Sequence, residues 1–469
     1  MKQIGTLVIG VLFVALFGAG LISISQDGHP LSIVDEHIHF DTAVKASQGE
    51  IPYRGSLLGP ELVNEWACGV GHEGGPTSVP CGDPDLSEES IPSGKYSTGY
   101  IHYPTFFFAA AAFQPVWQLL TGEAGLLSAF RAFSALVMLL GVVLAGVFGW
   151  LLGMRGSRLL AVTALPVASS MIVITGVTVN PTSTSVLTGV LIAGTGLLWI
   201  RRDRGFVWFA AAVALSSAIA VTSSLPAGGF LIAMLVVLVG RRRWPALAEG
   251  WHPRWWQFAL TSALVLIPVI IWGRVIAARA TIPNDTLYGF IPPSGKRDII
   301  AGATQEISLL HTPWRETLGI KAQPDAFVSQ VVHAFSLGGP TWITALVFGG
   351  LVFAVLFAHR LGAKSSTAPI SDDLASPERV GTDARVGRVS ALRLVALGTL
   401  LTVILYPPAL RVMNWMNFGF DHPIVERYSS ALAPVLAFVL ILMIRNTFFS
   451  RSLAVIGLLV ALGTVAGAA

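Results

Sequence analysis

The stretch IGTLVIGVLFVALFGAGLISI, residues 4–24, has no charged side chain, and within ten residues it gives way to Val34-Asp35-Glu36-His37-Ile38-His39-Phe40-Asp41. A bilayer crossing takes about 20 apolar residues in helical form, because in hydrocarbon a helix satisfies its own backbone. No small-x-small cleavage site follows before Gln26-Asp27. The run therefore reads as an uncleaved first transmembrane helix rather than a signal peptide. Working outward, the same pattern recurs near 100–120, 128–152, 159–178, 184–200, 206–222, 224–240, 257–279, 337–358, 391–410, 428–444 and 452–468. The expectation is an all-α polytopic membrane protein with about 11–13 transmembrane helices.

Composition agrees. Of 469 residues, 53% are hydrophobic and 12% charged, against about a quarter charged in soluble domains. That excludes an ordinary cytosolic enzyme: too little charge is present to cover a water-facing surface. The net charge of +4 does not mark a nucleic-acid binder. Its basic residues sit in short connections: Arg155 and Arg158; Arg201, Arg202 and Arg204; Arg241, Arg242 and Arg243; His359 and Arg360; Arg445 and Arg451. Under the positive-inside rule these connections face the cytoplasm, and so does the N-terminus.

Alternation then gathers 25–99, 178–184, 280–336 and 411–427 on the extracytoplasmic face of the cytoplasmic (inner) membrane. The division of the chain follows: a first helix, 1–24; an extracytoplasmic loop with an amphipathic helix, 25–99; a transmembrane bundle, 100–279; a second extracytoplasmic loop, 280–336; and C-terminal helices, 337–469, interrupted by a cytoplasmic linker, 361–390. One conflict stands. Between residues 99 and 153 the chain must cross an odd number of times, yet two apolar segments lie there. Either 100–120, with Pro104 and Pro115, is interfacial or re-entrant, or it hides an additional short crossing. Cys68 and Cys81 are the two cysteines. In an exported loop they fit a disulfide; otherwise they are free thiols.

Four polar stretches carry the candidate chemistry, all on the same predicted side. Residues 34–48 read as an amphipathic helix at the membrane surface, with Ile38 and Phe40 as anchors. There Asp35 and His39 are i,i+4 neighbours and Glu36 and His39 are i,i+3 neighbours. A carboxylate and an imidazole on one face suit general base catalysis, or a divalent metal with Asp35 and His39 as ligands, or simply a solvated helix start with Asp35 capping it. Tyr100-Ile101-His102-Tyr103-Pro104 opens the second apolar segment; His102 and Tyr103 either line a cavity or belong to the interfacial aromatic belt. Asn180-Pro181-Thr182-Ser183 is a turn with helix-capping residues. Asp421-His422-Pro423-Ile424-Val425-Glu426-Arg427-Tyr428 puts an arginine where positive charge is disfavoured. Arg427 there either binds a phosphate bidentately or snorkels. Arg131 and Lys296-Arg297 are weaker candidates for the phosphate.

Taken in order, these residues resemble the GT-C superfamily of membrane glycosyltransferases, and within it an uncharacterised bacterial membrane protein family. That family has a Pro-Asp-Glu-x-x-His start, an amphipathic helix ending in Gly, a Pro-Pro-Leu-Tyr-Tyr-like opening of the next segment, an Asn-Pro-Asp turn and a late Gly-Arg-Tyr. The counterparts here are Val34-Asp35-Glu36-His37-Ile38-His39 with Gly49, Tyr103-Pro104-Thr105-Phe106-Phe107, Asn180-Pro181-Thr182 and Glu426-Arg427-Tyr428. Thr182 stands in place of the turn's acid, Val34 in place of the Pro and Glu426 in place of the Gly.

The resemblance implies a GT-C-like fold and transfer of a hexosyl or pentosyl group from a polyprenyl-phosphate sugar to a cell-envelope glycan, lipid or exported protein. It assigns catalysis to Asp35 with Glu36, and substrate binding to His37, His39, His102, Tyr103, Arg131, Asn180, Arg427 and Tyr428. A divalent ion is compatible with it, although no decisive ligand set is visible. The rival readings are a lipid or glycan transporter or flippase, which would place ionisable groups within helices, and a non-catalytic envelope-assembly protein.

Overall fold

The structure, a computed structural model, describes residues 2–32, 35–69, 80–91, 93–202, 205–244, 251–283, 294–309, 312–314, 341–356, 382–418, 424–444 and 446–468. These residues are helical apart from connections and an isolated bridge between Leu57 and Tyr96. In chain order the helices are α1 (Lys2–Gln26), α2 (Glu36–Ser47), α3 (Pro60–Cys68), α4 (Thr105–Thr121), α5 (Leu126–Leu151), α6 (Ser157–Ala164), α7 (Ser170–Val177) and α8 (Ser185–Arg202). They continue with α9 (Phe206–Ile219), α10 (Leu225–Gly240), α11 (Trp255–Arg279), α12 (Lys296–Leu309), α13 (Thr341–Leu356), α14 (Thr382–Phe418), α15 (Leu432–Met443) and α16 (Thr447–Ala468).

Seven of them, α1, α5, α8, α10, α11, α14 and α16, are long and apolar enough to cross a membrane. Helices α6 and α7 pass the same test as a pair bent by 67°, while α9, α13 and α15 are apolar but shorter. With the bent pair and the short apolar helices, the set reaches the lower end of the expected range. The protein is a multi-pass membrane protein. Helix α11 makes the case most directly: only 6% of its most apolar window is buried, and Leu260, Leu266, Ile267, Ile270 and Ile271 face outward. Such a continuous apolar surface is stable against lipid and not against water.

The bundle is held by stripes and close crossings. Phe13, Phe17, Leu21 and Ile24 turn one face of α1 inward against α5 and α16. Helices α10 and α14 touch backbone to backbone, since a Cβ at Gly398 would stand 2.3 Å from the Gly229 carbonyl oxygen. In lipid, packing of this kind replaces the hydrophobic drive that helices have in water. In the segment 100–120 the structure has α4, which contains Pro115 and is not among the helices long and apolar enough to span.

The polar region after α1 folds back onto one end of the bundle, called here the α2 end. Helix α2 is enclosed rather than laid on a surface. Ile38, Phe40, Ala43 and Val44 share a core with Leu58, Leu62, Ile91, Phe106, Phe107 and Phe130. Its polar residues Glu36, His37, His39, Asp41 and Thr42 are buried too. Amphipathic periodicity did not foresee this, because these groups are buried in polar and aromatic contacts of their own. Asp41, for example, accepts from Lys45 Nζ and from Gly59 N, both at 2.7 Å.

Cys68, the last residue of α3, and Cys81 form a disulfide with Cα atoms 4.9 Å apart. The expected linker 361–390 falls mostly outside the described residues; from Thr382 onward it belongs to α14. Val34 and Asp421-His422-Pro423 also lie outside them.

Candidate active site

Asp35 sits at the start of α2 with φ 61° and ψ 8°, the one non-glycine residue with positive φ among those described. The left-handed conformation costs a residue with a Cβ some energy, although Asp tolerates it better than most. It swings the side chain off the helix face that the sequence spacing had assigned to it. The carboxylate is half exposed and forms an ion pair with Arg427 Nη2. These residues are 392 positions apart in the chain. Arg427 belongs to the 3-10 turn Glu426–Ser429. Its guanidinium lies 5.5 Å from the centre of the Tyr428 ring, a cation–π distance. Burial pushes the Tyr428 phenol up from its usual pKa, against the opposing pull of Arg427.

Glu36, the adjacent acid, is placed quite differently. It is fully buried and paired with buried Arg131 of α5, with Nε to Oε1 at 2.8 Å and Nη2 to Oε2 at 3.0 Å. Ser32 N donates to Oε2 at 2.7 Å and Val179 N to Oε1 at 2.9 Å. Two further N–H donors of Arg131 go to the carbonyls of His29, at 2.8 Å, and Pro30, at 3.1 Å. Glu36 thus accepts four hydrogen bonds and Arg131 donates four, the kind of surroundings in which a buried pair is tolerated. The pair fastens the start of α2 to α5 and to the turn before Asn180.

The histidines form a second layer. The rings of His39 and His102 meet edge to face at 4.6 Å, with Phe107 6.0 Å from His39. Burial holds His39 well below the usual imidazole pKa, and His102 and Arg427 lower it further. His102 is pulled down to about 4, first by burial; Asp35 opposes this and Arg427 adds to it. Both are neutral at physiological pH. His37 packs against Trp66 at 4.8 Å and lies 3.2 Å from Ser93 Oγ. Asn180 caps its own turn by accepting from Thr182 N at 2.9 Å. Tyr103 packs edge-on to Trp272 at 5.9 Å, and Lys296 and Arg297 are exposed at the start of α12.

The structure therefore brings Asp35 and Arg427 into contact, seats His39 and His102 beside them, and links Asn180 to them through Val179 and Glu36. His37 faces the α3 side instead. As for a metal, no group of three or more His, Cys, Asp or Glu converges to hold an ion among the described residues; Asp35 is paired with Arg427, while His39 Nδ1 is buried without a hydrogen-bond partner among them.

A contribution that the sequence reading missed is Glu306 of α12. Buried, it accepts from Arg411 Nη1 at 2.7 Å and from Ile424 N at 3.1 Å, and Arg411 Nη1 also donates to Gly302 O at 3.0 Å. Ile424 is three residues before Arg427. The only signal in the sequence was an acid in an otherwise unremarkable outer loop.

Fold and site together define a multi-pass helical membrane protein with an ionic and imidazole-lined site at the α2 end. No family model matches the chain, and no curated protein matches it. Among solved structures it is similar to the crystal structure of ArnT from Cupriavidus metallidurans bound to undecaprenyl phosphate, with 14% identity, a TM-score of 0.37, and 97% of this chain and 77% of that chain covered. A likeness that distant assigns nothing by itself.

Proposed function

We propose that this protein is a GT-C-type glycosyltransferase that moves a sugar from a polyprenyl-phosphate donor to a cell-envelope acceptor at the extracytoplasmic face of the inner membrane. The observation that carries the reading is the Asp35–Arg427 pair: a half-exposed carboxylate, in an unusual backbone conformation, whose partner is a phosphate-binding residue type. The ordered motifs that resemble the GT-C superfamily support it.

The chemistry follows from the exchange of partners. The donor phosphate replaces Asp35 on the Arg427 guanidinium, which leaves the carboxylate free to orient and deprotonate an acceptor hydroxyl. The acceptor oxygen bonds to the anomeric carbon as the bond from that carbon to the phosphate oxygen breaks, with inversion. The proton passes to Asp35, and the polyprenyl phosphate leaves as an anion. Arg427 meets the charge that grows on the leaving phosphate in the transition state. Neutral His39 and His102 leave the arginine as the principal positive charge. Glu36 and Arg131 act as positioning residues. No step is assigned to a metal ion, since the described residues provide no ligand set.

Membranes supplied with radiolabelled polyprenyl-phosphate sugars should label an envelope fraction, and Asp35→Asn should lower that transfer by at least about a hundredfold, the lower range for loss of a general base. Full transfer by a normally expressed Asp35→Asn protein would remove Asp35 from the mechanism. Flux of the lipid across proteoliposomes without any transfer would favour a flippase.

A further inference from the structure

Two 3-10 turns, Pro181–Thr184 and Thr222–Ser224, break the chain at the α2 end and pack together, with Thr184 Oγ1 3.4 Å from Ser223 Oγ. Several hydroxyls near them are bonded to the local backbone, the usual arrangement in apolar helices. Ser216 donates to Ala212 O at 2.7 Å, Thr188 to Thr184 O at 3.0 Å and Ser224 to Val221 O at 2.8 Å. Asn180 Nδ2, Ser183 Oγ, Ser185 Oγ and Ser217 Oγ differ: each is buried without a hydrogen-bond partner among the described residues. Their residues are no more than 2% exposed. Tyr103 Oη is in the same condition. Thr105, two residues on, donates to Ala218 O at 2.6 Å and so ties Tyr103 to the end of α9 that carries Ser217.

Unmet polar groups are costly in a dry interior. Packing alone would be served equally well by Ala at the serine positions. The group is also uncharged. Residues 178–200 and 206–240 contain no Asp, Glu, Lys, Arg or His, and burial pushes the Tyr103 phenol up to about 12, keeping it a neutral donor. Along the same hairpin runs an apolar groove of about 660 Å³, lined by Phe148, Leu191, Leu198, Trp208 and Leu215. Leu215, at one end of the groove, lies two residues before Ser217 on α9, about 3 Å along the helix axis.

We infer that Asn180, Ser183, Ser185, Ser217 and Tyr103 form the subsite for an uncharged polyhydroxyl ring, the sugar of an amphiphile whose hydrocarbon lies in the α8–α9 groove. This deepens the reading above and rests on it, since the ring would be the donor's. Hydroxyl and amide groups exchange donors and acceptors with sugar hydroxyls. They supply no counter-charge to a carboxylate or an ammonium, whose desolvation neutral hydrogen bonds offset only in part. The subsite thus selects neutral sugars over amino sugars and uronates.

The test is equilibrium binding to the full-length protein in detergent. The probes are bare undecaprenyl phosphate and the same lipid carrying a neutral hexose, an amino hexose or a hexuronate. Relative to the parent, Ser183→Ala/Ser185→Ala/Ser217→Ala should bind the neutral conjugate on the order of tenfold more weakly and bare undecaprenyl phosphate equally well. Ser216→Ala, whose hydroxyl is bonded to its own helix, should match the parent, and the single alanine variants serve if the triple variant unfolds. In the parent, the amino and uronic conjugates should bind no better than the bare lipid. Equal binding of the neutral conjugate by parent and variants, or of all three conjugates by the parent, overturns the subsite. Hydroxyl-dependent binding without sugar transfer would overturn the proposed reaction and leave the subsite standing.

Discussion

Asp35 and Glu36 are adjacent acids with opposite environments, and substitution should separate them. The Asp35–Arg427 pair is partly exposed, and such pairs contribute about 1 kcal/mol or less. Asp35→Asn should therefore leave thermal unfolding in detergent almost unmoved while transfer is lost. Glu36→Ala strands Arg131 in the interior, a loss of roughly 3–5 kcal/mol, and should lower the unfolding midpoint sharply. Equal midpoints for the two variants would contradict the assignment of one to chemistry and the other to structure. His102 gives a pH prediction. An imidazole pKa of 6.5 is pulled down to about 4 by burial, so between these values the unfolded chain binds more protons than the folded one. Stability then rises with pH across that window: its contribution is complete above 6.5 and is lost as pH falls toward 4. His102→Phe removes the titration, and its unfolding midpoint should fall less steeply than the parent's on acidification through the same range.

At the scale of elements, two buried ion pairs position Asp35 and Arg427. Glu36–Arg131 sets the start of α2 and with it Asp35. Glu306–Arg411, with Ile424 N on the same carboxylate oxygen, sets the approach to Arg427. Glu306→Gln keeps an oxygen that can accept both bonds but loses the charge, whereas Glu306→Ala leaves Arg411 and the Ile424 N–H without that acceptor. The alanine variant should lose roughly 3–5 kcal/mol, and the glutamine variant should fall between it and the parent in calorimetry. If Glu306 positions Arg427, the glutamine variant should also raise KM for the lipid donor more than it lowers kcat. The sequence made the apolar helices legible, since crossing a bilayer imposes length and hydropathy directly. It also marked Arg427, because positive charge at that side of the membrane is unexpected, and Asp35, through its spacing to His39 and the Asp-Glu pair after the first helix. It did not reveal the pairings of Glu36 and Glu306, whose partners lie 95 and 105 residues away. Nor did it show that α2 is enclosed. Periodicity reports which residues are apolar; it does not report which polar residues have found partners.

For the whole molecule, the remaining step is orientation. Asp35, the disulfide, both 3-10 turns and Arg427 share the α2 end, while the connection of Arg241, Arg242 and Arg243 lies across the span of α10 from the Thr222–Ser224 turn. Positive connections favour the cytoplasm, and a disulfide forms in oxidising compartments. The two signals are independent, and both support the proposed placement of the α2 end outside. Since Cys68 and Cys81 are bonded to each other and are the only cysteines, a cysteine introduced elsewhere is the one free thiol. Glu50→Cys, at an exposed position just after α2, and Arg242→Cys, at an exposed position after α10, probe the two ends. In intact cells stripped of any outer barrier, a membrane-impermeant maleimide should label the first variant and spare the second until the membrane is opened. Labelling of Arg242→Cys alone would put the Asp35 site on the cytoplasmic side, where an extracytoplasmic acceptor could not reach it.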